Sequence, residues 1–265
     1  MVTLYFRLIG ARVRAQMQYR VSFWLELIGL GLTTALEFVV LVLLFAQFPS
    51  VAGWSLPEVA LLYGLSSSAL GFAEMIARGF DGPFERMMVA GSFDAVLVRP
   101  LGSFFQVLAS EFQLRRLGRI AQAGAVLVYA LLQADVQWSV AHALLLPLTL
   151  LSGTLIFMAI TLIGATVCFW TIKTPEVINV FTVGGDFMAS YPFSIYSRPI
   201  RTVFASIIPL AFINYPTALV LLNKTDPHGF PPQLAWAAPL VASLFFALAL
   251  RFWQIGVSKY TSAGS

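Results

Sequence analysis

Four carboxylic acids interrupt the long apolar segments of this 265-residue chain: Glu26, Glu37, Glu74 and Asp186. A carboxylate surrounded by hydrocarbon is costly, so each of them should face a helix-bundle interior, a partner chain or water. Glu37 and Asp186 are therefore candidates for a polar substrate path or for a proton relay. The competing interpretation is that these acids hold helices together, and Glu26 can also lie at the membrane interface near Arg20.

The residues needed for most other chemistries are missing. The single cysteine, Cys168, excludes an internal disulfide and a cysteine-rich metal site. The two histidines, His142 and His228, lack neighbouring ligands, and no phosphate-binding loop or known nucleophile motif occurs. We therefore expect that this chain is not an enzyme and that it holds neither a metal nor a cofactor.

The composition places the chain in a membrane. Hydrophobic residues make up 59% of the sequence and charged residues 11%, whereas soluble domains average about 45–50% and about 25%. A soluble globule could not hide so much apolar surface, which excludes a soluble enzyme and a secreted disulfide scaffold. The net charge of +4 is typical of basic cytoplasmic loops, so we expect no nucleic-acid partner.

Long apolar segments predict an all-α polytopic protein with six transmembrane helices, because each segment must satisfy its own backbone in the bilayer. The predicted spans are 23–48, 58–77, 117–132, 143–170, 176–191 and 234–253. The third could extend back to Phe104 as a helix on the aqueous side. With the N-terminus inside, most Lys and Arg residues fall on the cytoplasmic side, which predicts a plasma-membrane protein with both termini cytoplasmic.

The segment 202–222 is apolar enough to be a seventh span, and charge counting barely separates the two topologies. Pro209, Asn214 and Pro216 interrupt it and would leave backbone groups unpaired in the middle of the bilayer. Two short helices that enter the outer leaflet and return fit this composition better.

Two cytoplasmic segments are candidates for contacts with a surface or a partner. Residues 4–20 alternate apolar side chains with arginines, which indicates a helix lying in the membrane interface or a cluster of charges that only sets topology. In the loop 78–100, Asp81 can cap a short helix. That short helix would present the apolar side chains of Phe84, Met87 and Met88 beside the charged side chains of Glu85 and Arg86. Such a mixture fits a docking surface for another protein, and a loop packed on its own bundle is the alternative.

Several short motifs accompany this pattern. They are Gly79-Phe-Asp, Leu97-Val-Arg-Pro-Leu101, Phe169-Trp170, Tyr191-Pro-x-x-Ile-Tyr196 and Ile208-Pro-x-Ala-Phe-Ile-Asn-Tyr-Pro216. Together with the basic N-terminal helix and six spans, they resemble the type-2 permeases of ATP-binding-cassette (ABC) exporters. The likeness is greatest to the bacterial subfamily in which two related permease subunits accompany one ATPase. The resemblance covers nearly the whole chain.

The resemblance implies a single transmembrane domain with an elbow helix (1–22), spans one and two (23–77) and a coupling loop (78–103). Spans three to five (104–192), an outer re-entrant segment (193–233) and a last span with a cytoplasmic tail (234–265) complete it. Such permeases pair as homodimers or heterodimers in membrane lipid, and each docks an ATPase subunit that holds ATP and Mg.

The same resemblance assigns roles to particular residues. It implies ATPase coupling through the loop residues Asp81, Phe84, Glu85, Arg86, Met87 and Met88. Glu37, Asp186 and Asn214 are the candidates for the path of a hydrophobic or amphiphilic solute. The alternative is a proton-coupled secondary transporter that uses Glu37 and Asp186.

Overall fold

The computed structural model describes residues 2–171 and 175–261, and these residues form an all-helical fold. The α-helices in chain order are α1 Val2–Gln18, α2 Arg20–Gln47, α3 Leu56–Ala77, α4 Gly82–Val89, α5 Asp94–Leu97, α6 Ser103–Leu108, α7 Leu117–Gln133, α8 Val140–Thr171, α9 Pro175–Ala189, α10 Arg198–Ser206, α11 Tyr215–Leu221 and α12 Ala238–Lys259. Within the described ranges the only β-type pairing is an isolated bridge between Val51 and Trp54. The prediction of an all-α polytopic membrane protein is confirmed.

Four helical stretches of the described chain are long and apolar enough to cross a bilayer: Arg20–Gln47, Leu56–Val89, Val140–Thr171 and Pro232–Lys259. Two further predicted spans, α7 with 17 residues and α9 with 15 residues, are at or below the usual length of about 17–25 residues. The total of six spans therefore stays a prediction.

The third predicted span does not extend back to Phe104 as a helix, so that expectation is wrong. Helix α6 ends at Leu108, and α7 begins at Leu117 after a short 3-10 turn. The chain between them pairs its backbone elsewhere. The Gln16 amide of α1 donates to the Phe112 carbonyl and accepts from Leu114 N, which satisfies groups that a helix would have paired internally.

The segment 202–222 is not a span. It contains the end of α10, a 3-10 turn at Leu210–Ile213 and the short helix α11. Neither α-helix approaches the length of a bilayer crossing, so the seven-span alternative has no helix to support it.

Helix α3 is the centre of the bundle and is buried along most of its length. It packs on α7 and α8, and α12 packs on α8. Helix α2 lies outside this core and exposes many apolar side chains, as a lipid-facing or partner-facing helix would. Glycines allow close crossings with α7: a Cβ at Gly64 would lie 2.8 Å from the Cβ of Leu127.

Candidate functional site

A cavity of about 180 Å³ opens between α2, α3, α7 and α9. Its walls combine charged, aromatic and aliphatic side chains: Glu37, Val40, Leu41, Tyr63, Arg119, Val183, Asp186, Phe187, Ser190 and Tyr191. The structure thus brings the two sequence candidates Glu37 and Asp186 to one site, although they lie on different helices.

Arg119 is the centre of the site. Its Nη2 lies 2.6 Å from Oδ2 of Asp186, and its Nε donates to Ser67 Oγ at 3.0 Å. The hydroxyl of Ser66 donates to the other Asp186 oxygen, Oδ1, at 2.6 Å. The side chains of Arg119 and Asp186 are only 8% and 6% exposed. A buried ion pair of this kind is tolerated because each charge meets an opposite charge and further hydrogen bonds.

Two further acids flank this pair. Glu37 Oε2 lies 3.7 Å from Arg119 Nη2, and Glu74 Oε2 lies 3.8 Å from Arg119 Nη1. Glu74 also lies 2.9 Å from Nη1 of Arg116, an ion-pair contact whose geometry is not that of a hydrogen bond. Burial lowers the pKa of the Arg116 guanidinium below its usual value, and the nearby Glu74 offsets this only in part.

The local charges do not balance. Three carboxylates, Glu37, Glu74 and Asp186, surround two guanidinium groups, Arg116 and Arg119. The Glu37 side chain is the most exposed of these, at 48%, and lies on the cavity wall. The site therefore contains one more acid than base, and Glu37 is the acid most accessible from the cavity.

Sequence reasoning missed Arg119 and its serine partners. Charge counting along the sequence places Arg119 among the cytoplasmic charges that flank the spans. Its position one turn beyond Arg116, inside the apolar segment 117–132, was a signal that it needs an acidic partner. The Ser66-Ser67-Ser68 triplet within the second predicted span was a second signal, since buried hydroxyls require partners.

The third candidate for the solute path lies elsewhere. Asn214 is buried and is not on the wall of this cavity. Its Nδ2 donates to the carbonyl oxygens of Leu62 at 2.8 Å and Ala189 at 2.6 Å. These bonds join the turn before α11 to α3 and to the end of α9. Glu26, by contrast, forms an exposed pair with Arg115.

Helix α4 lies where the coupling helix was expected. Asp81 occupies the N-cap position of α4, but its carboxylate pairs with Arg78 and makes no cap hydrogen bond. Pro83 lies in the first turn. The local features of the sequence therefore predicted the start of this helix correctly and its cap incorrectly.

The sequence predicts that all three apolar side chains of α4 project outwards. Phe84 and Met88 are buried instead. The Phe84 ring packs on the rings of Phe93, Phe169 and Trp253 at centroid distances of 5.6, 5.5 and 5.1 Å. These contacts fix α4 to α8 and α12, because Phe169 and Trp253 belong to those helices.

The other face of α4 remains accessible. Arg86 and Val89 are exposed, and Glu85 and Met87 are partly exposed. A groove of about 330 Å³ runs beside this face, with Arg86 and Met87 on one wall and Arg12 of α1 on another. One face of α4 therefore packs on the helix bundle, and the other stays accessible as a candidate docking surface.

These features define an all-helical membrane protein that encloses a charged cavity and carries a short surface helix fixed to its long helices. The profile of the ABC-2 family transporter proteins matches residues 32–264, and the chain belongs to this family. No curated protein and no solved structure matches the chain. Family membership makes it a membrane component of an ABC transporter system.

Proposed function

We propose that this chain is the permease subunit of an ATP-driven exporter. It forms a solute path together with a second permease chain and is driven by a separate ATPase subunit that holds ATP and Mg. Two observations support this proposal. The family profile covers residues 32–264, and the cavity around Arg119 places ionisable groups inside an apolar bundle, where they commonly mark a path or a binding site.

A second permease chain is supported by the surroundings of Glu37. Its neighbours Leu36 and Val40 on α2 are exposed, so this face would otherwise lie against lipid. A half-exposed carboxylate in that position is costly in hydrocarbon. A partner chain that covers this face of α2 would enclose Glu37 and the cavity mouth between the two subunits.

The cavity also supports a class of solute. The accessible acid Glu37 favours a positively charged group, and the rings of Tyr63, Phe187 and Tyr191 can contact a cation as well as apolar surface. We therefore extend the proposal to amphiphilic solutes with a basic group.

Coupling would use both faces of α4. The accessible face, with Glu85, Arg86 and Met87, would dock the ATPase. The buried face, through Phe84, would pass the displacement to α8 and α12. Nucleotide can shift the permease only through contacts that differ between its two states, and the accessible face of α4 is where such contacts would form.

The test is a coupled assay with the permease, its ATPase and membrane lipid reconstituted together. Arg86→Glu should reduce ATPase co-purification and solute-stimulated ATP hydrolysis at least tenfold. Arg251→Glu, at an exposed position of α12, is the matched control and should leave both unchanged. Full activity of Arg86→Glu would contradict the docking proposal.

The same system distinguishes the proton-coupled alternative. Both oxygens of Asp186 are engaged by Arg119 and Ser66, an arrangement that favours a fixed ion pair over a mobile proton carrier. Solute movement by the permease chain without ATPase, with dissipation of a pH gradient, would overturn the proposed function.

A further inference from the structure

A second cavity, of about 350 Å³, lies between α10 and the loop that precedes α12. Its lining includes Phe193, Arg198, Arg201, Thr202, His228 and Phe230. It lies at the end of the bundle opposite to α4. Lys224, shortly before this loop, contacts Glu58 at the start of α3 at 2.7 Å, whereas α4 follows the other end of α3.

The arginines of this cavity make no direct ion pair. Among the residues that the structure describes, neither Arg198 nor Arg201 forms an ion pair. The Nε of Arg201 is buried and has no hydrogen-bond partner. A buried donor without a partner is unusual, and it shows that the surrounding protein does not satisfy the Arg201 guanidinium.

The acid on the neighbouring loop does not supply that acceptor. Asp226 accepts hydrogen bonds from the Tyr215 hydroxyl at 2.5 Å and from the backbone nitrogens of His228 and Phe230 at 2.9 and 3.0 Å. Its two oxygens therefore hold the loop in place, and the cavity keeps a net positive charge from Arg198 and Arg201.

The same helix has an apolar face. Ile200, Val203 and Ile207 are exposed and follow one another at helical spacing, at and just beyond the end of α10. A short helix with arginines on one side and exposed apolar residues on the other fits the boundary between headgroups and hydrocarbon. The cavity would then open at the depth of lipid headgroups.

We propose that this cavity binds the phosphate headgroup of an anionic phospholipid in the leaflet away from α4. Arg198 and Arg201 would hold the phosphate oxygens, since guanidinium groups bind phosphate with paired, charge-assisted hydrogen bonds. The acyl chains would continue past Ile200 and Val203. The Nη groups would make these bonds, because Arg201 Nε is shielded from the cavity by protein atoms.

The test uses the purified full-length chain in detergent and measures lipid affinity by native mass spectrometry and by thermal stabilisation. Phosphatidylglycerol, phosphatidylcholine and inorganic phosphate are the three probes. We expect phosphatidylglycerol to bind at least tenfold more tightly than phosphatidylcholine. Arg201→Gln and the more exposed Arg198→Gln should each weaken phosphatidylglycerol binding at least fivefold. Arg251→Gln, at the exposed α12 position, should leave it unchanged.

Three outcomes would overturn the proposal. One is unchanged affinity in Arg198→Gln and in any folded Arg201→Gln protein. The second is an equal loss in Arg251→Gln, which would mean that the chain responds to positive charge in general. The third is stabilisation by inorganic phosphate as strong as that by phosphatidylglycerol, which would identify a site for free anions. None of these measurements requires the ATPase, so the result is independent of the proposed transport function.

Discussion

Removing one partner of the Arg119–Asp186 pair should be strongly destabilising. Loss of a single partner from a buried ion pair costs about 3–5 kcal/mol, because the other charge is left uncompensated. The two single variants should also differ. In Asp186→Asn, Arg119 still has Glu37 at 3.7 Å and Glu74 at 3.8 Å. In Arg119→Gln, all three acids lose a nearby positive charge, so this variant should be the less stable one.

The double variant Arg119→Gln/Asp186→Asn should cost less than the two single changes added together. Its two amides remain able to hydrogen-bond to each other and to Ser66 and Ser67, and neither is charged. If most of each single loss comes from the unpaired partner, the coupling free energy should reach about 2–3 kcal/mol. That value lies at the upper end of what contacting residues show.

The measurement is the free energy of unfolding in mixed micelles, with all variants compared under one set of conditions. Arg115→Gln is the matched control. Arg115 lies 2.7 Å from Glu26, but these side chains are 36% and 52% exposed, so its loss should cost below about 1 kcal/mol. The reasoning is refuted if Arg119→Gln is as mild as Arg115→Gln, or if the two single losses add without coupling.

Five further substitutions, in three experiments, test packing. A Cβ at Gly118 would overlap the backbone of α2, so Gly118→Ala should destabilise the bundle by about 1–3 kcal/mol. Gly124 has open space around it, so Gly124→Ala is the control and should be neutral or slightly stabilising in the same unfolding assay. Asn214→Ala removes two buried hydrogen bonds, to the carbonyl oxygens of Leu62 and Ala189, and should cost about 1–3 kcal/mol by thermal or chemical unfolding. Phe84→Ala should lower the free energy of unfolding by about 3–5 kcal/mol and Met87→Ala by less than about 1 kcal/mol. Met87→Ala should nevertheless lower ATPase docking. Equal losses of stability in the two variants would contradict the assignment of a buried and an accessible face to α4.

The sequence was sufficient for the features that depend on local composition. The apolar segment that follows Pro57 forms most of α3, and the segment interrupted by Pro209 and Pro216 forms short helices and not a span. Hydrophobic length and the conformational limits of proline act within one segment, so no knowledge of packing was required.

The site depended on contacts that composition does not specify. Arg119 and Asp186 are 67 positions apart, and their pairing follows from how α7 and α9 pack around α3. Phe84 looked like a docking residue because Phe169 and Trp253, which cover it, come from distant parts of the chain. A single sequence shows that a charge or a ring needs a partner without showing which one.

Helix α3 connects the two parts of the proposed mechanism. Ser66 and Ser67 in its middle hold Asp186 and Arg119, while Glu74, one turn before its end, contacts the guanidinium groups. Helix α4 begins only a few residues after α3 ends. Glu74 is the member of the charged cluster nearest to α4 in the chain, so the proposed displacement of α4 would act on the cluster through Glu74 as well as on α8 and α12 through Phe84. Because that cluster has one more acid than base, the proposed mechanism implies that a small movement of Glu74 would change how strongly Arg119 compensates Glu37, the carboxylate most accessible from the cavity.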